Sequence, residues 1–261
     1  MTAPALVMVA PGTRDPEVTQ VILRMQATLS AMRSEMEARV AFLGHGTPTL
    51  TQVISQFARR RVAEVVLVPL DMTHAIVPSM EIEEAAEKLR VEYPNVAMTV
   101  SRPVGPEVSL LSLLDKRMRS ALVSARVLEL DGLVLSSADC GDMRGSALLA
   151  RRARQWSTHH RLPCLTAAAD GSGPTVVQAI QGLRAQGRRH IAVGSFFLSP
   201  DELYQSQREL ALHYGAVAVS DPLGSAVDVL ELVLARYAFA AMDLLDMGEH
   251  AEKASAEQLG A

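Results

Sequence analysis

Two histidines stand in loops whose composition suits proton or metal chemistry. His45 lies in Gly44-His45-Gly46-Thr47-Pro48, where the flanking glycines let a ligand approach the backbone and leave the imidazole unobstructed. His74 lies in Asp71-Met72-Thr73-His74-Ala75, with Asp71 three residues before it and Glu81 shortly after it. Imidazole is the usual side chain for a borderline divalent metal and the usual proton acceptor near neutral pH. His45, His74, Asp71 and Glu81 could therefore form a two-histidine, two-carboxylate set of metal-ligand type. No zinc-helix motif accompanies them, so for His45 alone an exposed or structural role is an equal reading.

Other sites that could carry chemistry weigh less. Gly171-Ser172-Gly173-Pro174 looks like a phosphate loop but lacks the lysine and spacing of one, and reads as a strand-to-helix turn. Ser195 and Ser136-Ser137 end apolar runs without the Gly-x-Ser-x-Gly turn of a hydrolase nucleophile. His159 and His160 read as a helix C-terminus, where cations are favoured. His190, His213 and His250 have no partner that spacing identifies. Cys140 and Cys164 have no metal-ligand spacing and read as two free, buried or half-buried thiols, which fits a reducing cytoplasm.

The elements that must position these loops occur twice. Pro48-Thr49-Leu50-Thr51-Gln52 recurs as Pro174-Thr175-Val176-Val177-Gln178, and Val65-Val66-Leu67-Val68 as Ile191-Ala192-Val193-Gly194, both at an offset of 126. Arg102-Pro103-Val104-Gly105 recurs as Asp221-Pro222-Leu223-Gly224 at an offset of 119. In each half, short β-branched runs alternate with helix-length amphipathic segments. Strands are expected near 5–10, 40–44, 64–70 and 97–101, and again near 132–137, 164–169, 190–196 and 216–220. Crossover connections between successive strands imply parallel pairing. The fold class is thus α/β, with two tandem parallel-sheet lobes related by a pseudo-twofold axis and facing each other across a cleft. The expected divisions are 1–130, 131–247 and a flexible polar tail at 248–261. The long helical segments at 107–126 and 225–245 are expected to close the two halves. His45 and His74 follow adjacent strands at the carboxyl edge of the first lobe, where parallel sheets bind ligands. The second lobe has Gly171 and Pro200 at the equivalent places.

Composition narrows the function further. A chain of 261 residues with 49% hydrophobic and 21% charged residues has a sizeable core. Its net charge of −4 and few aromatics disfavour a nucleic-acid partner, and the arginine runs at 59–61, 151–152 and 188–189 read as solvated helix faces or ends. No export signal or membrane span is visible.

The chain resembles the sirohydrochlorin chelatase family in its double-length form, over about residues 5 to 240. The resemblance rests on Gly12-Thr13-Arg14-Asp15-Pro16 after the first strand, Val40-Ala41-Phe42-Leu43 leading to Pro48-Thr49-Leu50, Val65-Val66-Leu67-Val68-Pro69-Leu70, and Arg102-Pro103-Val104-Gly105-Pro106. It implies a lyase that inserts Fe2+, Co2+ or Ni2+, a substrate here and not a resident cofactor, into sirohydrochlorin or a related tetrapyrrole, with no organic cofactor. It also implies a monomer, since both lobes lie in one chain. Gly12, Thr13, Arg14 and Arg102 would meet the carboxylate-rich substrate. Where the family places a histidine before the Gly-Ser/Thr-Arg turn, this chain has Pro11, and Val77 aligns with the second family histidine, with His74 three residues upstream. Either His45 and His74 have taken over the insertion chemistry, or the fold binds a tetrapyrrole or metal without catalysis. An unrelated enzyme on the same scaffold is a third reading.

Overall fold

Runs of Val, Leu, Ala and Ile bounded by turns form eight strands in the computed structural model, which describes residues 3 to 259. They are β1 (Ala5–Ala10), β2 (Ala38–Phe42), β3 (Glu64–Pro69), β4 (Ala97–Val100), β5 (Gly132–Ser137), β6 (Cys164–Ala168), β7 (Ile191–Phe196) and β8 (Ala218–Val219). Every pairing is parallel, and the two four-stranded sheets have the same order, β2-β1-β3-β4 and β6-β5-β7-β8. The tandem α/β architecture read from the sequence is the observed one.

Between the strands run α1 (Pro16–Met32), α2 (Leu50–Arg59), α3 (Met80–Glu92), α4 (Leu110–Ser124), α5 (Met143–His160), α6 (Val176–Ala185) and α7 (Glu202–His213), with α8 (Val227–Leu259) at the end. The repeated Pro-Thr-x-x-Gln is the start signal of a helix. Thr49 accepts from the Gln52 amide while the Gln52 side chain accepts from the Thr49 amide, and Thr175 and Gln178 do the same in the second half. These reciprocal bonds satisfy amides that a helix start leaves free.

Side chains alternate across each sheet, so one strand feeds two cores. Val7, Val9, Val65 and Leu67 pack with α2 and α3 on one face of the first sheet. Leu6, Met8, Val66 and Val68 point the other way, into a cluster shared with Leu133, Leu135, Trp156 and Phe196 of the second half.

The helices that end each half are exchanged. α4 lies against β7 and β8 of the second sheet, and α8 lies against β3 and β4 of the first. A pair of arginines at the 119-residue offset makes the exchange reciprocal. Arg117 on α4 donates to the Leu223 carbonyl after β8 at 3.0 Å, and Arg236 on α8 donates to the Pro103 and Val104 carbonyls after β4 at 2.9 and 3.1 Å. The duplicated segments thus cap helices and clasp the two halves to each other.

Two expectations need correction. The segment expected to fray from 248 is helical through Leu259 as part of α8; between Glu249 and Leu259 it contains no Gly or Pro and is rich in Ala and Glu, good helix formers whose propensity outweighs their small polar character. Residues 260–261 lie outside the described residues. The second lobe's last strand is two residues long where five were expected.

Both cysteines are free. Cys164 is half-buried, and burial of its thiol pushes its pKa up to about 12. At neutral pH it is held as the unreactive thiol. Iodoacetamide should therefore label Cys140 well before Cys164 in the folded protein, as peptide mapping by mass spectrometry would show. Equal labelling would mean the Cys164 thiol is open to solvent.

Candidate functional site between the lobes

The carboxyl ends of the central strands β1, β3, β5 and β7 converge on a cavity of about 220 Å³. Its walls come from Pro11, Gly12 and Thr13 after β1, Asp71 and Thr73 after β3, Asp139 after β5, and Phe197, Ser199 and Asp201 after β7, floored by Val18 and Ile22 of α1. Both halves contribute, as the position beyond parallel strand ends requires. The volume falls below the roughly 300–1,000 Å³ of ordinary small-molecule sites. A large ligand must sit across the mouth or part the walls.

The loops on the first-lobe side are tied to one another. Thr13 donates its amide to the His45 carbonyl at 3.0 Å. A Cβ on Gly12 would lie 2.2 Å from the Leu43 carbonyl oxygen, so only glycine allows this approach. His45 itself is exposed, and its Nε2 lies 3.5 Å from an Arg14 guanidinium nitrogen. It stands outside the cavity, on the rim.

His74 is held differently. Asp71 Oδ1 accepts from the amides of Thr73 and His74 at 2.8 and 3.0 Å and from the Thr73 hydroxyl at 3.1 Å, which folds the loop back on its own carboxylate. Asp71 Oδ2 lies 2.8 Å from His74 Nδ1. That nitrogen is buried and makes no hydrogen bond.

The four-residue metal set is not assembled. Among the described residues, the group of three or more His, Cys, Asp or Glu donors lying within 4.8 Å of one another is elsewhere in the chain. Glu81 is exposed in the first turn of α3 and lines a separate hollow with Gly44, Thr49 and Lys88. Spacing along the chain placed it near His74, but the helix start turns it toward α2. Arg102 is also exposed and does not line the cavity.

Sequence reasoning overlooked Asp139 and Asp201. Both come from the second half, and each also serves the backbone: Asp139 accepts from the Gly141 amide and Asp201 caps α7 through the Tyr204 amide at 2.8 Å. Their positions just beyond strand ends were the available signal. Burial raises the pKa of Asp201, eased by the amides of Tyr204 and Leu203, with the charge of Asp15 adding to the rise. A raised carboxyl pKa means that its ionised form opposes folding at neutral pH, and that this penalty fades as pH falls through the folded pKa. Asn keeps the cap. Asp201→Asn should accordingly be at least as stable as wild type at pH 7, with any gain vanishing below the usual carboxylate range; lower stability at pH 7 in thermal melts would contradict this.

The far wall touches the His74 loop directly. A Cβ on Gly145, in the first turn of α5, would fall 2.0 Å from the Thr73 carbonyl oxygen, and one on Gly141 would fall 2.2 Å from it. Gly145→Ala must push the loop and α5 apart, at about 1–3 kcal/mol. Urea denaturation should register that loss, and an unchanged midpoint would mean the two lobes yield freely here.

Comparisons with known proteins agree with this geometry. Residues 5–121 match the CbiX family model. The sirohydrochlorin cobaltochelatase of Methanosarcina acetivorans is 22% identical over 118 residues, covering 42% of this chain and 91% of that protein. The structure of SirB from Bacillus subtilis with Fe3+ superposes with a TM-score of 0.74 at 16% identity, covering 92% of this chain and 96% of SirB. CbiX, described as the terminal enzyme for biosynthesis of siroheme in denitrifying bacteria, gives 0.62 at 16% identity over 90% of this chain and 99% of that one. Among the described residues no helix is long and apolar enough to cross a membrane.

Proposed function

We propose that this chain is a member of the sirohydrochlorin chelatase family and inserts a divalent metal into sirohydrochlorin or a closely related tetrapyrrole at the mouth of the interlobe cavity. The observation that carries the reading is the convergence of four strand ends from two like sheets on one acidic cavity, with an arginine at its rim. Insertion requires that the metal lose water, sit above the ring and replace two pyrrole protons. Asp71, Asp139 and Asp201 give the interior a negative lining suited to a hydrated cation. The substrate's carboxylates belong with Arg14, and with Arg102 if the ligand reaches beyond the cavity.

His74, which follows the cavity-lining Thr73 without itself lining the cavity, is the candidate proton acceptor. Its Nδ1 lies 2.8 Å from Asp71 Oδ2, which leaves Nε2 as the ring nitrogen for a pyrrole proton or the incoming metal. His45 serves at the rim beside Arg14. Fe2+ and Co2+ are the leading metals, in sirohaem or cobalamin synthesis, with Ni2+ as a third candidate. A monomer in the cytoplasm completes the reading.

An oxygen-free absorbance assay tests it. Sirohydrochlorin with Fe2+, Co2+ or Ni2+ should convert to the metallated spectrum faster with the protein than without. A protein that binds the tetrapyrrole tightly yet leaves all three rates at background would instead be a non-catalytic binding protein.

A further inference from the structure

The geometry points to a second metal site, for a borderline divalent cation such as Zn2+ or Ni2+, built from Asp115 on α4 and His159 and His160 at the end of α5. One donor atom from each of the three lies within 4.8 Å of the others. His160 Nε2 is 2.8 Å from Asp115 Oδ1, and His159 Nε2 is 3.6 Å from Asp115 Oδ2. Ligand bonds of about 2.0–2.2 Å in tetrahedral array put donor atoms roughly 3.3 Å apart. The two contacts, to different oxygens of Asp115, lie on either side of that value, and all three donors are within 4.8 Å, so the side chains must draw together to close on an ion.

The surroundings favour a cation. Adjacent helical residues ordinarily diverge, but α5 ends here, with Arg161 in the left-handed conformation at φ 55°, and both rings reach one carboxylate. The free carbonyls of a helix C-terminus add partial negative charge. Asp115 is 14% exposed and accepts from Trp156 Nε1 at 2.5 Å, the kind of bond that orients a metal-binding carboxylate. A bound ion would take three protein ligands and water. It would clip α4 of the first half to α5 of the second, at the edge of the sheet opposite the cavity, because α5 starts at the carboxyl end of β5 and ends here. The inference stands whether or not the cleft inserts metal.

Trp156 is the chain's single tryptophan, which supplies the readout. Metal-free protein is titrated with Zn2+ and Ni2+ while Trp156 emission and bound metal by equilibrium dialysis are followed, for wild type, His159→Ala, His160→Ala and His74→Ala. His159 is 67% exposed, so its replacement leaves the fold intact. We expect saturable binding of one ion coupled to a change in Trp156 emission, weakened about tenfold or more in both α5 variants and retained in His74→Ala. Wild-type emission unmoved up to millimolar metal, His159→Ala binding as tightly as wild type, or loss of the signal in His74→Ala would each overturn the proposal.

Discussion

His74→Ala is expected to lower the rate of metal insertion by about two orders of magnitude or more, the scale of losing a general base, while tetrapyrrole binding survives. The imidazole lies 2.8 Å from the Asp71 carboxylate in a loop that the same carboxylate folds, so the loop that carries it is set before substrate arrives. His45→Ala should cost less. That ring is exposed, and the one polar contact described for its imidazole is a long one to Arg14. The sequence gives the two histidines equal standing; their anchoring separates them. Arg14→Ala should weaken binding with little change in the saturated rate, because a rim guanidinium meets the substrate carboxylates equally in ground and transition states. Pro11→His places an imidazole in the cavity wall and should raise the rate if a missing base is limiting. Single-turnover absorbance traces without oxygen separate these outcomes. A His74→Ala protein that inserts metal at the wild-type rate would remove this residue from the mechanism.

Trp156→Ala is expected to destabilise the whole chain by about 3–5 kcal/mol, the usual cost of emptying a large aromatic site in a core. Trp156 is 1% exposed, and its ring lies so near Gly194 of β7 that a Cβ there would fall 2.5 Å from it, with Leu114 of the exchanged α4 beside the same position. It also holds Asp115. Because the inner faces of both sheets share one core, the loss should appear as a shift of a single transition for both halves, not as selective melting of the second. Guanidinium unfolding followed by circular dichroism measures this. A loss below 1 kcal/mol, or two resolved transitions, would contradict the merged core.

The strands were legible where apolar runs end in sharp turn signals. β1 spans Ala5–Ala10 and β5 spans Gly132–Ser137, the limits read from sequence. β8 was not, because only Ala218–Val219 of the run 216–220 forms the strand, an edge strand whose length depends on pairing with β7 and not on its own composition. The two histidine loops were placed on the right edge of the sheet. What the chain could not show was orientation: Glu81 turns away with the start of α3, and Asp139 and Asp201 look like ordinary turn and cap residues until the second half folds over the first. The exchange of α4 and α8 is invisible for the same reason. An amphipathic helix advertises that it will cover a sheet, not which of two similar sheets it will cover.

That exchange has a consequence for synthesis. The inner face of the first sheet is complete once β4 has left the ribosome at Val100, but the α8 residues that cover it begin at Val227. At roughly 5–20 residues per second, translation of the intervening ~130 residues leaves Val66 and Val68 without that cover for about 6–25 seconds. Until α8 arrives, the nascent first half carries an apolar face that only the end of the chain can cover, so truncation within the second half should leave a fragment prone to aggregate.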